Sequence, residues 1–166
     1  MRKVEIYTDG SYNKTDQGAT YGGIYMPMSG CSDMSQSVKT SIPEATSMWN
    51  VGGELLAAIT AVKMVSFMAE NLKDENLVAD IIYDYEGIGK WVTGEWKAKK
   101  TMTIAYRDYV RKILNRHNNL KINFIWVKGH NGTLGNEMAD RIAYEGMAGK
   151  RDVSNLDELI NEVLGR

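Results

Sequence analysis

Two hydrophobic periods divide the chain. Residues 4–7 and 19–28 are rich in β-branched and aromatic side chains and are separated by a polar, Gly-containing stretch, which predicts two strands. A turn at Met28-Ser29-Gly30 leads into a third, more polar strand over about residues 32–41. From Gly53 the period changes. Leu55, Ala58, Ile59, Val62, Val65 and Ser66 recur at helical spacing and predict a long amphipathic helix to about Asn71. An apolar strand follows over residues 77–83 and a short helix over 86–92. A second long helix covers 101–117, with Ile104, Tyr109 or Val110, Ile113 and Leu114 available for its core face. Residues 121–127 make a fifth strand, and a Gly-rich loop over 130–135 opens a helix to about Met147. Three strands followed by alternating helices and strands predict an α/β domain with a mixed sheet over residues 1–150.

Residues 151–166 read as a C-terminal extension. Ser154-Asn155-Leu156-Asp157 has the form of a capping box with Asp at N3. Leu156, Leu159, Ile160, Val163 and Leu164 make one apolar stripe on a short helix, expected to pack on its own domain.

A chain of 166 residues, 43% apolar, has material for one core and little for a second. No apolar run reaches the roughly 18 residues of a membrane span, so no membrane is expected. The N-terminus shows neither an apolar h-region nor a small-residue cleavage site, so no secretion signal is expected either. The single Cys31 cannot close an internal disulfide, in keeping with a reducing cytoplasm. A net charge of −1 gives no global reason to expect nucleic acid. The distribution of charge does. Between Gly87 and Lys121, Lys97, Lys99, Lys100 and six other basic residues face only Glu95 and Asp108, beside Trp91 and Trp96. That mixture suits a surface tracking a phosphate backbone, although a solvated helix face is the plainer account.

Four acidic residues carry the candidate chemistry. Asp9 ends the first strand in Tyr7-Thr8-Asp9-Gly10-Ser11, and Asp84 directly follows the apolar strand ending Ile81-Ile82-Tyr83. Glu54 opens the long helix, and Asp140 lies in Gly135-Asn136-Glu137-Met138-Ala139-Asp140. Singly, each has a bland role in a turn, a helix dipole or a solvated face. Together they differ, because ligands of open α/β sheets gather beyond the carboxyl ends of strands. If the first and fourth strands are neighbours, Asp9 and Asp84 meet. Two like charges about 4 Å apart repel by roughly 4 kcal/mol at an effective dielectric of 20, so such a cluster must take up protons or hold cations. Oxygen-only ligands suit Mg2+ or Mn2+, and His117, His130 and Cys31 form no zinc pattern.

These motifs, together with Trp126-Val127-Lys128-Gly129-His130, resemble ribonuclease H type 1, in order over about residues 3–147. The resemblance implies a five-stranded mixed sheet flanked by helices and a monomeric enzyme cutting the RNA strand of RNA/DNA hybrids. It implies two Mg2+ or Mn2+ ions, with Asp9 bridging both, Glu54 and Asp84 completing the first site and Asp140 helping the second. His130 matches a mobile histidine that shuttles a proton or helps product leave; its plainer role is a surface histidine. Asn50 matches a residue reading the minor groove of the hybrid, and a helix N-cap is its competing role.

Several positions depart from the pattern. The loop after the first motif is Tyr12-Asn13-Lys14-Thr15-Asp16, with Asn13 as candidate substrate contact, nearer to Asp9 than the usual asparagine. Gly52-Gly53 stands in place of the more usual Arg-Met, and Glu86 is a fifth acid beside Asp84. The stretch 87–103 is shorter than the basic protrusion of longer bacterial members. It looks more like members that often carry a small hybrid-binding domain in front, and no such domain stands in this sequence. Two other readings keep the fold: a resolvase- or integrase-like nuclease, and a non-catalytic nucleic-acid-binding module. The helix glutamate after the third strand and the histidine loop favour the hybrid-cutting reading over the first, and the full set of four carboxylates over the second.

Overall fold

Alternation along the strands assigns the two faces of a single sheet. In the computed structural model, which describes residues 1–15 and 18–166, Ile6 and Ile24 join one core cluster while their neighbours Tyr7 and Tyr25 join another, as the two-residue strand period requires. β1 (Arg2–Tyr12), β2 (Thr20–Met26) and β3 (Met34–Thr40) form an antiparallel meander. After α1 (Pro43–Thr46) and α2 (Asn50–Asn71), β4 (Leu77–Tyr83) pairs parallel to β1 on its free side. α3 (Gly87–Thr93) and α4 (Thr101–Arg116) precede β5 (Leu120–Trp126), which is parallel to β4. α5 (Leu134–Met147) leads to β6 (Val153–Asn155) and α6 (Asp157–Val163). The sheet order is β5-β4-β1-β2-β3-β6.

The sheet thus has six strands rather than the expected five. The sixth comes from the extension: three residues of β6 pair parallel with Ser37–Lys39 of β3 and cover an edge otherwise left open. Ser154 therefore lies in a strand and caps nothing. Asp157 instead ties α6 to the end of β3, accepting from Thr40 Oγ1 at 2.7 Å and from the Ser41 amide at 2.9 Å. Ile160 is fully buried in the main core, so the apolar stripe of α6 packs on its own domain.

α2 differs from its expected amphipathic form. Leu56, Ala57, Thr60 and Ala61 are buried along with the predicted stripe, because sheet, α1, α3 and α4 all pack around the helix. By length and composition its 22 residues suffice to cross a bilayer, but 72% of its apolar window is buried inside the fold. It is a core helix. On α4, Met102, Tyr106, Val110 and Ile113 fill the core, and Ile104 is exposed. α5 covers the opposite face, where Ala139 and Ile142 meet Tyr7 and Tyr25.

Candidate active site

The register of β1 against β4 brings the first two carboxylates level. Tyr7 pairs with Ile82, so two residues further on Asp9 stands opposite Asp84. β4 ends at Tyr83, whereas β1 continues to Tyr12 against β2 alone. Asp9 therefore sits inside its strand, beyond the end of its neighbour. The Asp84 end is pinned from β5: Trp126 Nε1 donates to the Asp84 carbonyl at 2.9 Å, and the Val127 amide to that of Tyr83 at 2.8 Å.

Glu54 reaches this point from α2, whose first turns lie against the strands. A Cβ on Gly10 would overlap the Glu54 amide nitrogen, and one on Gly53 would overlap the Tyr21 carbonyl oxygen. Gly10 and Gly53 permit this approach, while Gly52 lies instead against the Ala45 carbonyl of α1. The Gly10 amide then donates to Asp9 Oδ1 at 2.9 Å and to Glu54 Oε1 at 3.1 Å. Oxygens of Asp9, Glu54 and Asp84 lie within 4.8 Å of one another. Asp9 and Glu54 are each 5% exposed, and Asp84 is half-buried.

Burial is the main force on their ionisation. It pushes the Asp9 carboxyl up to about 7, with repulsion from Asp84 adding to it. It holds Glu54 well above the usual carboxylate range, with Asp9 as the next cause. Asp84 is raised by burial and then by Asp140, and the nearby His130 imidazole works in the opposite direction. Among the described residues, Glu54 Oε2 is buried with no hydrogen-bond partner. Three crowded, desolvated carboxylates with an unsatisfied oxygen are a donor set that a hard divalent cation completes.

The model of the RNase H family matches residues 1–148. The chain belongs to the RNase H family. It is 31% identical over 158 residues to a Ribonuclease H of Nitrosomonas eutropha, an alignment covering 89% of this chain and 91% of that protein. The RNase H1 of the halophilic archaeon Halobacterium salinarum superposes with a TM-score of 0.63 at 18% identity, over 89% of this chain and 98% of that one. LC11-RNase H1, crystallised in complex with an RNA/DNA hybrid, gives a TM-score of 0.61 at 16% identity, over 87% and 99%. At such identities the structural likeness speaks for the fold, which is the α/β RNase H-like one.

Within this RNase H frame the other expected residues fall in different places. Asp140, on α5, is near enough to help raise the Asp9 carboxyl but lies outside the tight group of three. His130 is exposed, with φ at 55°, on the loop whose Gly129 lies against the Asp84 carboxylate. Asn13 has its Oδ1 occupied locally, accepting from the Thr15 amide at 3.0 Å and its hydroxyl at 2.7 Å; Asp16 lies outside the described residues. Asn50 is the first residue of α2 and not its N-cap, which is Trp49, and its exposed side chain lines a groove with Tyr12 and Lys14.

Six members of the basic run fall into two groups. Lys90 bridges Glu86 and Glu95, Arg107 pairs with Asp108, and Arg111 donates to the Val92 carbonyl. Lys97, Lys99 and Lys100 remain exposed and line a groove with Tyr85 and Trp91. Trp126, the first residue of the Trp126-Val127-Lys128-Gly129-His130 motif, anchors Asp84 through its indole N–H. Trp49 carries no signal in the sequence.

Proposed function

We propose that the chain is an endonuclease that hydrolyses the RNA strand of RNA/DNA hybrids with two divalent cations, Mg2+ or Mn2+, leaving 5′-phosphate and 3′-hydroxyl ends. The buried Asp9–Glu54–Asp84 cluster, with one oxygen unsatisfied, in a chain of the RNase H family carries this reading. Paired cations in such a site supply a nucleophilic water at neutral pH and offset charge on the leaving oxygen of an in-line displacement. Asp9, between the other acids, would serve both positions, with Glu54 and Asp84 at one and Asp140 at the other. The Gly10 amide keeps Glu54 aimed at Asp9. His130, exposed beside Asp84, would hold or release a proton as product leaves.

Substrate recognition divides between two surfaces. Asn50, one helical turn before Glu54, would read the minor groove, where 2′-hydroxyls distinguish RNA from DNA. Lys97, Lys99 and Lys100 would meet phosphates without regard to sequence. The crystallised complex of LC11-RNase H1 supports the hybrid as substrate class. The enzyme would work as a monomer in a reducing cytoplasm.

The test is cleavage of labelled RNA/DNA hybrid, duplex DNA, duplex RNA and a four-way junction, with Mg2+, Mn2+ or chelator. Internal cuts confined to RNA in the hybrid and dependent on the cation are expected. Cutting of the junction or of duplex DNA in preference, or no cation dependence, would overturn the proposal.

A further inference from the structure

Trp49 is 64% exposed, and its backbone sits at φ 57°, ψ −129°. Glycine occupies that region at no steric cost, and a tryptophan does not. The backbone is held there from three sides. Its amide donates to the Thr46 carbonyl at 3.1 Å, and its own carbonyl accepts from Thr20 Oγ1 at 3.0 Å and from the Gly53 amide at 3.3 Å. Backbone in a disfavoured region persists where its surroundings over-determine it, and such residues gather at ligand clamps and active sites. Here the result is an indole standing in solvent, five residues before Glu54.

Two grooves meet at this indole. One, of about 690 Å3, is lined by Tyr12, Lys14, Trp49 and Asn50. The other, of about 530 Å3, carries Lys97, Lys99, Lys100 and the Tyr85 and Trp91 rings. An exposed indole with a groove on either side, one carrying three lysines and the other Lys14 with the polar Tyr12 and Asn50, complements a duplex seen across its minor groove, where a central furrow lies between two phosphate backbones.

We propose, resting on the hybrid-cleavage reading, that Trp49 enters the minor groove of the hybrid and packs its ring against the sugar edges, with one backbone in each flanking groove. It is a substrate-binding residue that sets how the duplex lies over the carboxylates. Its contact is apolar and releases no counterions.

Hybrid affinity and steady-state kinetics of Trp49→Ala and Trp49→Phe test this. Trp49→Ala should raise Kd and KM about tenfold, within the range for removing an aromatic side chain from a nucleic-acid interface, with kcat changed less than about twofold. Trp49→Phe should recover most of the affinity. The log–log salt slope of binding should stay as in the parent, because every phosphate keeps its cationic partner. A second readout does not depend on the alanine variant folding. Subtracting the fluorescence of Trp49→Phe from that of the parent isolates the Trp49 signal, and saturating hybrid should quench it and shield it from acrylamide.

Unchanged Kd and KM in a folded Trp49→Ala, a loss confined to kcat, or a Trp49 signal indifferent to bound hybrid would each overturn the inference. If the parent binds hybrid without cleaving it, the proposed reaction falls, while the fluorescence comparison still decides whether Trp49 touches the duplex. If the parent does not bind hybrid at all, both fall.

Discussion

The Gly10 amide donates to Glu54 Oε1 at 3.1 Å, so the helix carboxylate is held by the strand that it faces. Gly10→Ala should break this arrangement. The added methyl would meet only backbone atoms, of Asn50, Gly53 and Glu54, and none of them can swing aside. Overpacking of this kind costs about 1–3 kcal/mol, equivalent to a fall in Tm of roughly 2–12 °C for a chain of this size. Mn2+ affinity should fall with it, since α2 must move away with Glu54. Thermal melts and calorimetric Mn2+ titrations check this, and a variant matching the parent in both would contradict it.

Asp9, with its carboxyl pushed up to about 7, binds a proton in the folded cation-free protein where the unfolded chain has already lost it. Between about pH 4 and pH 7 the native state therefore holds more protons, and stability falls as pH rises through that window. The raised Glu54 and Asp84 act in the same direction. Melts in chelator at pH 5 and pH 8 should show the lower Tm at pH 8, and Mg2+ should restore it. Asp9→Asn should raise the cation-free Tm at pH 8 by a few degrees, roughly 1 kcal/mol of relieved repulsion. The same change should abolish hydrolysis while sparing hybrid binding. Near-parental cleavage by Asp9→Asn or Asp84→Asn at saturating Mg2+ would remove these residues from the site.

His130 stands on an exposed loop and lowers the cost of ionising Asp84 without joining the carboxylate group. His130→Ala should slow turnover by about one to two orders of magnitude, at or below the usual contribution of a positioned acid or base. Single-turnover and steady-state rates, compared side by side, separate a chemical role from one in product departure. A loss as complete as that of Asp9→Asn, or no loss in either regime, would contradict the assignment.

Lys97, Lys99 and Lys100 are exposed on one groove, whereas Lys90, Arg107 and Arg111 already have partners. The triple alanine variant should raise KM and reduce the log–log salt slope by about one unit for each phosphate that no longer meets a lysine. Preference for hybrid over duplex DNA should be unaltered. Salt titrations of binding to both duplexes, from low to physiological ionic strength, measure the slope and the preference together. An unaltered slope would place the substrate path elsewhere.

What could be read from the sequence was local. An apolar run leading into Asp84 marks a strand end, and a β-rich stretch carrying Asp9 marks a strand, without reference to the rest of the chain. Parallel pairing of β1 with β4 then brings the two level, with Asp9 inside its strand. What could not be read depended on distant partners. Gly53 registers in the sequence as a departure, but the Tyr21 carbonyl that demands it lies on another strand. The helix period of α2 is blurred because residues 52–62 are buried all round, and a solvent face returns only from Lys63 onward, with Phe67 and Glu70. Charge counting found the basic run, but it could not separate Arg111, taken by Val92, from Lys99, left in solvent. Val153-Ser154-Asn155 is too short to alternate and becomes a strand only because β3 offers it an edge.

That late strand gives the fold a clock. Residues 37–39 find their partners at 153–155, a separation that takes on the order of 10 s to translate at roughly 5–20 residues per second. Throughout that interval the meander of a growing chain keeps a bare edge, and a bare edge is a template for any other chain with unpaired backbone. Neighbouring ribosomes on one message would hold several such edges close together. Three residues and the Asp157 clasp behind them thus close the Ser37–Lys39 part of that edge only once residues 153–157 have emerged.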